Sequence, residues 1–551
     1  MAYFPPSRVR AFALLCILTM GTGTLRAAHD PGLVGYAAGQ VAFQTSDRCL
    51  ACHNGLTSPS GKDVSIGFDW RTSLMANSGR DPYWQAGVRR ETLDHPTASA
   101  AIQDECAACH MPIARTHARL QGKTPEVLAH LPLRADDPGS REYADGVSCS
   151  VCHQISSANF GQASSFNGGY VIAPPRADGT HAEFGPYSVD SGLQQVMRSS
   201  TGGFVPEQAD HLRSSQLCEG CHTLITKALG PNGEEVGSLP EQVPYQEWEH
   251  SSYRDQQSCQ SCHMPAIDES VAIARVLAPQ RAGAAHHQFV AANFFLQRLF
   301  ARYRDDLQMP PTSAELSQAA ERTERYLAER AATVALSGLG ARGGRVEADI
   351  SVDNFGGHKL PTAYPSRRAW LHVTLRDASG RVLFESGALH ADGSIEGNDN
   401  DRDPLRYEPH YREVRDTGQV QIYEAILADR QGAVTTGLLN AVGYLKDNRL
   451  LPHGFEKRNA PANVAVHGDA LDDPAFTDHG DRVHYSMAVP SGATGPFRLE
   501  VELRYQPIGY RWAGNLKAYD APEPRRFVAM YDGLSSSSAT TLATANAVVA
   551  P

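Results

Sequence analysis

Cys49-Leu-Ala-Cys52-His53 is the first of five pentapeptides of one form; the others are Cys106-Ala-Ala-Cys109-His110, Cys149-Ser-Val-Cys152-His153, Cys218-Glu-Gly-Cys221-His222 and Cys259-Gln-Ser-Cys262-His263. The chain has eleven cysteines, one of them Cys16 near the start, and the other ten fall into these motifs without remainder. Random placement at this composition gives about 0.01 such pentapeptides. Two thiols three residues apart on a turn of helix meet the two vinyl groups along one porphyrin edge, while the adjoining imidazole projects to the iron. The pattern therefore predicts five covalently attached haem c groups.

Other chemistries of paired cysteines fit less of the pattern. Disulfides give no reason for a histidine after every second cysteine. Zinc sites take two Cys-x-x-Cys pairs per metal, which leaves one pair over and all five histidines unexplained. A thioredoxin-like pair occurs once, in a βαβ unit. The first cysteines are separated by 57, 43, 69 and 41 residues, intervals too unequal for a solenoid and too short for five separate globular units. The haems must share one core, and the Gly-, Ser- and Pro-rich stretch from Asn159 to Pro186 reads as loops draped over them.

Arg8 and Arg10, the apolar run Ala11 to Met20 and the small residues Gly21 to Ala28 describe a signal peptide over residues 1–28. No later stretch is long and apolar enough to span a membrane. The formal charge of −11 becomes −14 once Arg8, Arg10 and Arg26 leave with the leader. That balance argues against nucleic acid and anionic lipid and favours basic protein surfaces as partners.

An electron-transfer haem needs a sixth ligand, and seventeen of the 22 histidines lie outside the motifs. The leading candidates are His250, nine residues before Cys259, and one of the pair His286-His287. Met75, in Ser73-Leu-Met75-Ala, is a thioether candidate or a core filler. His95, His117, His130, His181 and His211 are weaker candidates. In His110-Met-Pro and His263-Met-Pro, Met111 and Met264 read as packing on the ring edge, with Pro112 and Pro265 ending the motif helix.

The apolar stretch from Gln288 to Phe300 reads as a helix covering the last haems. Thr312-Ser-Ala-Glu315 is a capping box that opens a polar surface helix running to about Thr333. Beyond Gly338, Val346 to Val352, Leu371 to Leu375 and Phe497 to Tyr505 alternate with period two, and Asp377-Ala-Ser-Gly380 reads as a turn. The expected architecture is a mainly α and irregular multihaem core over 29–300, a helical connector over 301–340 and an all-β, sandwich-like domain over 341–551. In that domain Asn354-Phe-Gly-Gly-His358-Lys-Leu-Pro361 is either a loop that carries His358 across to the haem core or a turn made by Gly356 and Gly357 with His358 facing water. Asp392, Glu396, Asp399, Asp401 and Asp403 crowd a second loop, readable as a calcium site or as a solvated acidic turn.

These residues resemble the bacterial exported multihaem cytochromes c, a cytochrome c-554-like family. The similarity is carried by the five motifs, His-Met-Pro after two of them, Ser73-Leu-Met75 with Arg80-Asp-Pro-Tyr83, Gly357-His358-Lys-Leu-Pro-Thr362, and Tyr444-Leu-Lys-Asp-Asn-Arg449. It implies the Gram-negative periplasm or outer surface and strengthens Met75 and His358 as distal ligands. Pentahaem nitrite reductases are similar in haem number alone, because they place lysine after one Cys-x-x-Cys and all five positions here are histidine.

The leading expectation is thus an electron carrier between redox-partner proteins. The alternatives are an oxidoreductase acting on a small nitrogen or sulfur compound through an open iron site, and a subunit of a surface or membrane-bound cytochrome complex or a self-assembled filament.

Overall fold

The computed structural model describes residues 1, 31–33, 35–37, 40–134 and 136–551. The leader assigned to 1–28 lies outside them apart from Met1. Among the described residues no helix is long and apolar enough to cross a membrane.

Each motif begins on a helix, over Asp47–Leu50, Ser99–His110, Cys149–Cys152, Gln216–His222 and Cys259–His263, with Cys52, His53 and His153 just past the ends of theirs. The chain between them is mostly short helices, turns and loops. Pro82–Asp94 starts on the Asp81 carboxylate, which accepts from the Tyr83 and Trp84 amides at 2.8 and 3.2 Å. Pro112 both ends the second motif helix and opens the next, Pro112–Leu120. The stretch read as loops contains one strand, His181–Gly185, paired in parallel with Phe204–Gln208. Apolar packing in this half is divided among small clusters, one around Phe43, Ile113 and Ile172, another around Met111 and Val127. Met111 is fully buried in that protein cluster.

The second half has one large core. A sheet built on Val434–Thr435, Ile422–Asp429, Arg368–Arg376, Phe497–Gln506 and Thr540–Val549 also takes in Val382–Ser386 and Ala441–Asp447. A four-stranded sheet runs Glu413–Val414, Asp481–Ala488, Arg345–Asn354, Ala332–Arg342. Alternation has the expected consequence: Val346, Ala348, Ile350 and Val352 from one sheet, and Leu371, Val373, Leu499 and Leu503 from the other, are all fully buried in one shared cluster.

Three expectations are corrected. Ala332–Arg342, assigned to the helical connector, is a strand, because the helix stops at Arg330 and Ala332 pairs with Asn354. The domain is not all-β: Tyr510–Asn515 and Pro522–Asp532 are helices inserted before the last strand. The latter packs on Pro82–Asp94, with Glu523 holding Arg89 in a two-toothed pair at 2.7 and 3.0 Å. Finally, Phe294–Arg302 belongs to the core of the β half: Phe294 and Phe295 are fully buried, and Phe295 meets the Tyr531 ring edge-on at 5.5 Å. Burial of each such ring is worth about 1.5–3 kcal/mol. The helix Ser313–Arg330 has its capping box at Thr312 and Glu315, and it braces Phe294–Arg302 with Leu316, Ala319, Ala320 and Leu327.

Candidate haem-binding sites

None of the ten motif thiols is in a disulfide, and all keep part of their surface open. Six of them stand in neighbouring pairs, Cys49 beside Cys149, Cys109 beside Cys221 and Cys218 beside Cys259, and Cys152 is close enough to influence both Cys218 and Cys221. Burial pushes the Cys152 thiol up to about 12, so it is protonated at neutral pH.

The motif imidazoles are aimed by backbone carbonyls. Nδ1–H of His53 donates to Ile273 at 2.6 Å, that of His153 to Phe184 at 2.5 Å and that of His263 to Val290 at 2.5 Å. A carbonyl can only accept, so Nδ1 carries the proton and Nε2 keeps its lone pair, the state a metal ligand requires. Trp84 lies parallel to His110 with ring centres 4.5 Å apart, and the contact to the Ser78 carbonyl is longer, at 3.5 Å. Desolvation lowers His110 and His222 to about 4, leaving both neutral at physiological pH.

Two motif histidines look across at a second imidazole. His153 and His287 have ring centres 6.5 Å apart and planes within 15°; for His263 and His358 the values are 6.3 Å and 12°. These separations are too long for ring-on-ring contact. They match two imidazoles on opposite sides of one metal ion, whose nitrogens lie about 2 Å from the metal. Both outer partners have the required tautomer, His287 donating from Nδ1 to Ala285 at 3.1 Å and His358 to Lys359 at 3.0 Å. Free thiols, imidazoles with an unprotonated Nε2, facing imidazole couples and a divided apolar core all fit haem c, which the motif residues would hold by thioethers and axial nitrogens.

The other candidates are placed differently. His286 gives its Nδ1–H to Asp69 at 2.6 Å and, among the described residues, has no ring contact with a motif histidine. His250 is exposed, bonded to the Gln246 carbonyl of its own helix at 2.8 Å, and shows no such contact either. Met75 is half-buried, its carbonyl accepting from Val147 at the lead-in to the third motif. His95 is buried with Nε2 unpaired. His117 accepts the Ala42 and Phe43 amides on Nε2 and pairs with Glu142 through Nδ1, a structural role. His130 stacks on Tyr143, His181 lies between Tyr36 and Phe204, and His211 is bonded to the Ile155 carbonyl.

The calcium reading of the acidic loop is not supported by its geometry. Asp401 is taken by Arg368 at 2.8 and 2.9 Å, Asp399 by Arg406, Glu396 by His390, and Asp392 and Asp403 cap their own turns. The group of metal-ligating types that does converge among the described residues is His410, Asp473 and Asp481. Its hydrogen bonds oppose a metal. The Gln421 and Asn448 carboxamides, each oriented by a backbone amide on its oxygen, both donate to His410 Nδ1. Nε2 therefore carries the proton and donates to Asp473 at 3.2 Å.

No family model matches this chain, and no curated protein matches it in sequence. A solved structure does match in fold: a penta-heme cytochrome c552 from Thermochromatium tepidum, at TM-score 0.52 and 18% identity, covering 92% of this chain and all of that one. The fold is multihaem cytochrome c-like. That likeness spans both halves, so the β half belongs to the shared architecture.

Proposed function

We propose that the chain is an exported pentahaem c-type cytochrome that passes electrons between redox-partner proteins in the periplasm or at the outer surface. The observation that carries this is the pair of facing imidazole couples, His153 with His287 and His263 with His358. Six-coordinate haem iron changes redox state with little rearrangement and offers no substrate position.

The motif residues would hold the groups close together. Neighbouring thiols link the first motif to the third, the third to the fourth, the fourth to the fifth, and the second to the fourth. The first and fifth motif helices lie at the surface, with Arg48, Ala51 and Ser261 exposed, whereas Ala107, Ala108, Ser150 and Val151 bury the second and third. That arrangement suits entry and exit at the first and fifth motifs, and the acidic surface suits a basic partner with salt-dependent affinity. A redox titration is expected to show reversible reduction of five haems over a spread of potentials. Fewer than five thioether-bound haems would overturn the reading.

A second reading, an oxidoreductase on a small nitrogen or sulfur compound, is favoured by one observation. Among the described residues no second imidazole faces His53, His110 or His222 at the spacing of the two couples. Carbon monoxide binding to the native ferrous protein would support it; a purely low-spin, unreactive protein would remove it.

A further inference from the structure

The loop carrying His358 is held at both ends. On its entry side the Asn354 carboxamide donates to the carbonyls of His358 and Leu450 at 2.9 and 3.1 Å and accepts the Gly356 amide at 2.8 Å. On its exit side the anchor comes from the haem half. Glu247, in the helix Pro244–Glu249 that leads toward the fifth motif, is fully buried. One of its oxygens accepts the Lys359 amide at 3.1 Å and the Thr362 hydroxyl. The other meets Arg449 at 2.9 Å.

Arg449 then clasps Asp447 at 2.8 and 2.7 Å, and Asp447 returns to the Lys359 ammonium at 2.6 Å. Two cations and two anions thus close a neutral ring. Lys359 and Glu247 are 0% exposed, Asp447 1% and Arg449 5%, so all four charges have given up nearly all their hydration. Buried ion pairs of this kind contribute little net stability, and their attested use is to fix one arrangement against others. Gly357 adds to the fit, because a Cβ there would already touch Trp248 and Tyr253, so the loop lies directly on the haem half. The His358 ring is bonded to its own loop through the Lys359 carbonyl, hence it goes where the loop goes.

We propose that Glu247 is the positioning residue for the His263–His358 couple: one carboxylate in the lead-in to the proximal motif sets the register of the loop that presents the distal imidazole. This rests on the reading of His358 as an iron ligand. It also gives a role to Tyr444-Leu-Lys-Asp-Asn-Arg449 beside Gly357-His358-Lys-Leu-Pro-Thr362, which the ring joins.

The test compares Glu247→Gln, Thr362→Val and His358→Ala in the full haem-loaded chain, by redox titration and carbon monoxide binding. Loss of the buried negative charge is expected to raise the midpoint potential of one haem. The loosened loop is expected to make that same haem bind carbon monoxide in the ferrous state. Thr362→Val, which removes only the hydroxyl, is expected to give the smaller carbon monoxide effect and serves if Glu247→Gln does not fold. If His358→Ala alters one haem while both other variants leave all potentials and ligand binding unchanged, the positioning role is overturned and the ligand reading stands. If His358→Ala alters no haem, both fall.

Discussion

Replacing Lys359 with methionine keeps most of the stem and removes the ammonium. In the native protein that ammonium is fully buried, 2.6 Å from Asp447 and 3.2 Å from the Ala465 carbonyl. Without it Asp447 keeps only Arg449, which also serves Glu247, and the neutral ring becomes a buried site of net charge −1. Breaking a buried pair from one side costs about 3–5 kcal/mol. That is a large share of the 5–15 kcal/mol typical of a domain, so the variant is expected to fold but to unfold at clearly lower urea. Circular dichroism along a urea titration measures the loss.

The loss must also depend on pH. Burial alone would raise Asp447, but Arg449 and Lys359 hold its carboxyl well below the usual range. A depressed carboxylate contributes stability above its unfolded value of about 3.9 and loses it as pH falls through the folded value. Without Lys359 the folded value rises, so the gap between variant and native protein is expected to narrow below about pH 4. A loss under about 1 kcal/mol at pH 7, or a gap that widens in acid, would refute the ring as described.

His287→Ala removes the imidazole facing His153; one additional ferrous haem should bind carbon monoxide, and an unchanged spectrum would sink the couple. His372 lies between Glu502 at 2.9 Å and Glu385 at 3.0 Å, whose hydrogen bonds raise its pKa. A raised histidine stabilises below its unfolded value of about 6.5 and loses that contribution as pH rises through the folded one. Thermal melts of His372→Asn should therefore show a shallower decline above pH 6.5 than the native protein, and an identical slope would count against it.

Local pattern carried much of this protein in its sequence. The motif helices, the capping box at Thr312 and the alternating strands rest on spacings of a few residues, and His358, whose ring faces His263, drew notice because glycine and proline frame it. What was missed depends on distant partners. Ala331 and Ala332 continue a helical composition, and the strand there follows from pairing with Asn354. Phe294 and Phe295 announce burial without saying against what, and their partners Tyr505 and Tyr531 lie some 200 residues on. Glu247 carried no signal of its own; Lys359 is 112 positions away, and Lys359 and Asp447 are separated by 88. His250 seemed well placed by its distance from Cys259, but its helix turns it to solvent.

Whether Cys49 to His263 attach five haems covalently is measured directly by the mass of the intact, denatured and reduced chain. The predicted result is the mature polypeptide plus five haem groups that survive denaturation and acid extraction. A mass with fewer haems, or one that drops to the bare polypeptide on extraction, would contradict it.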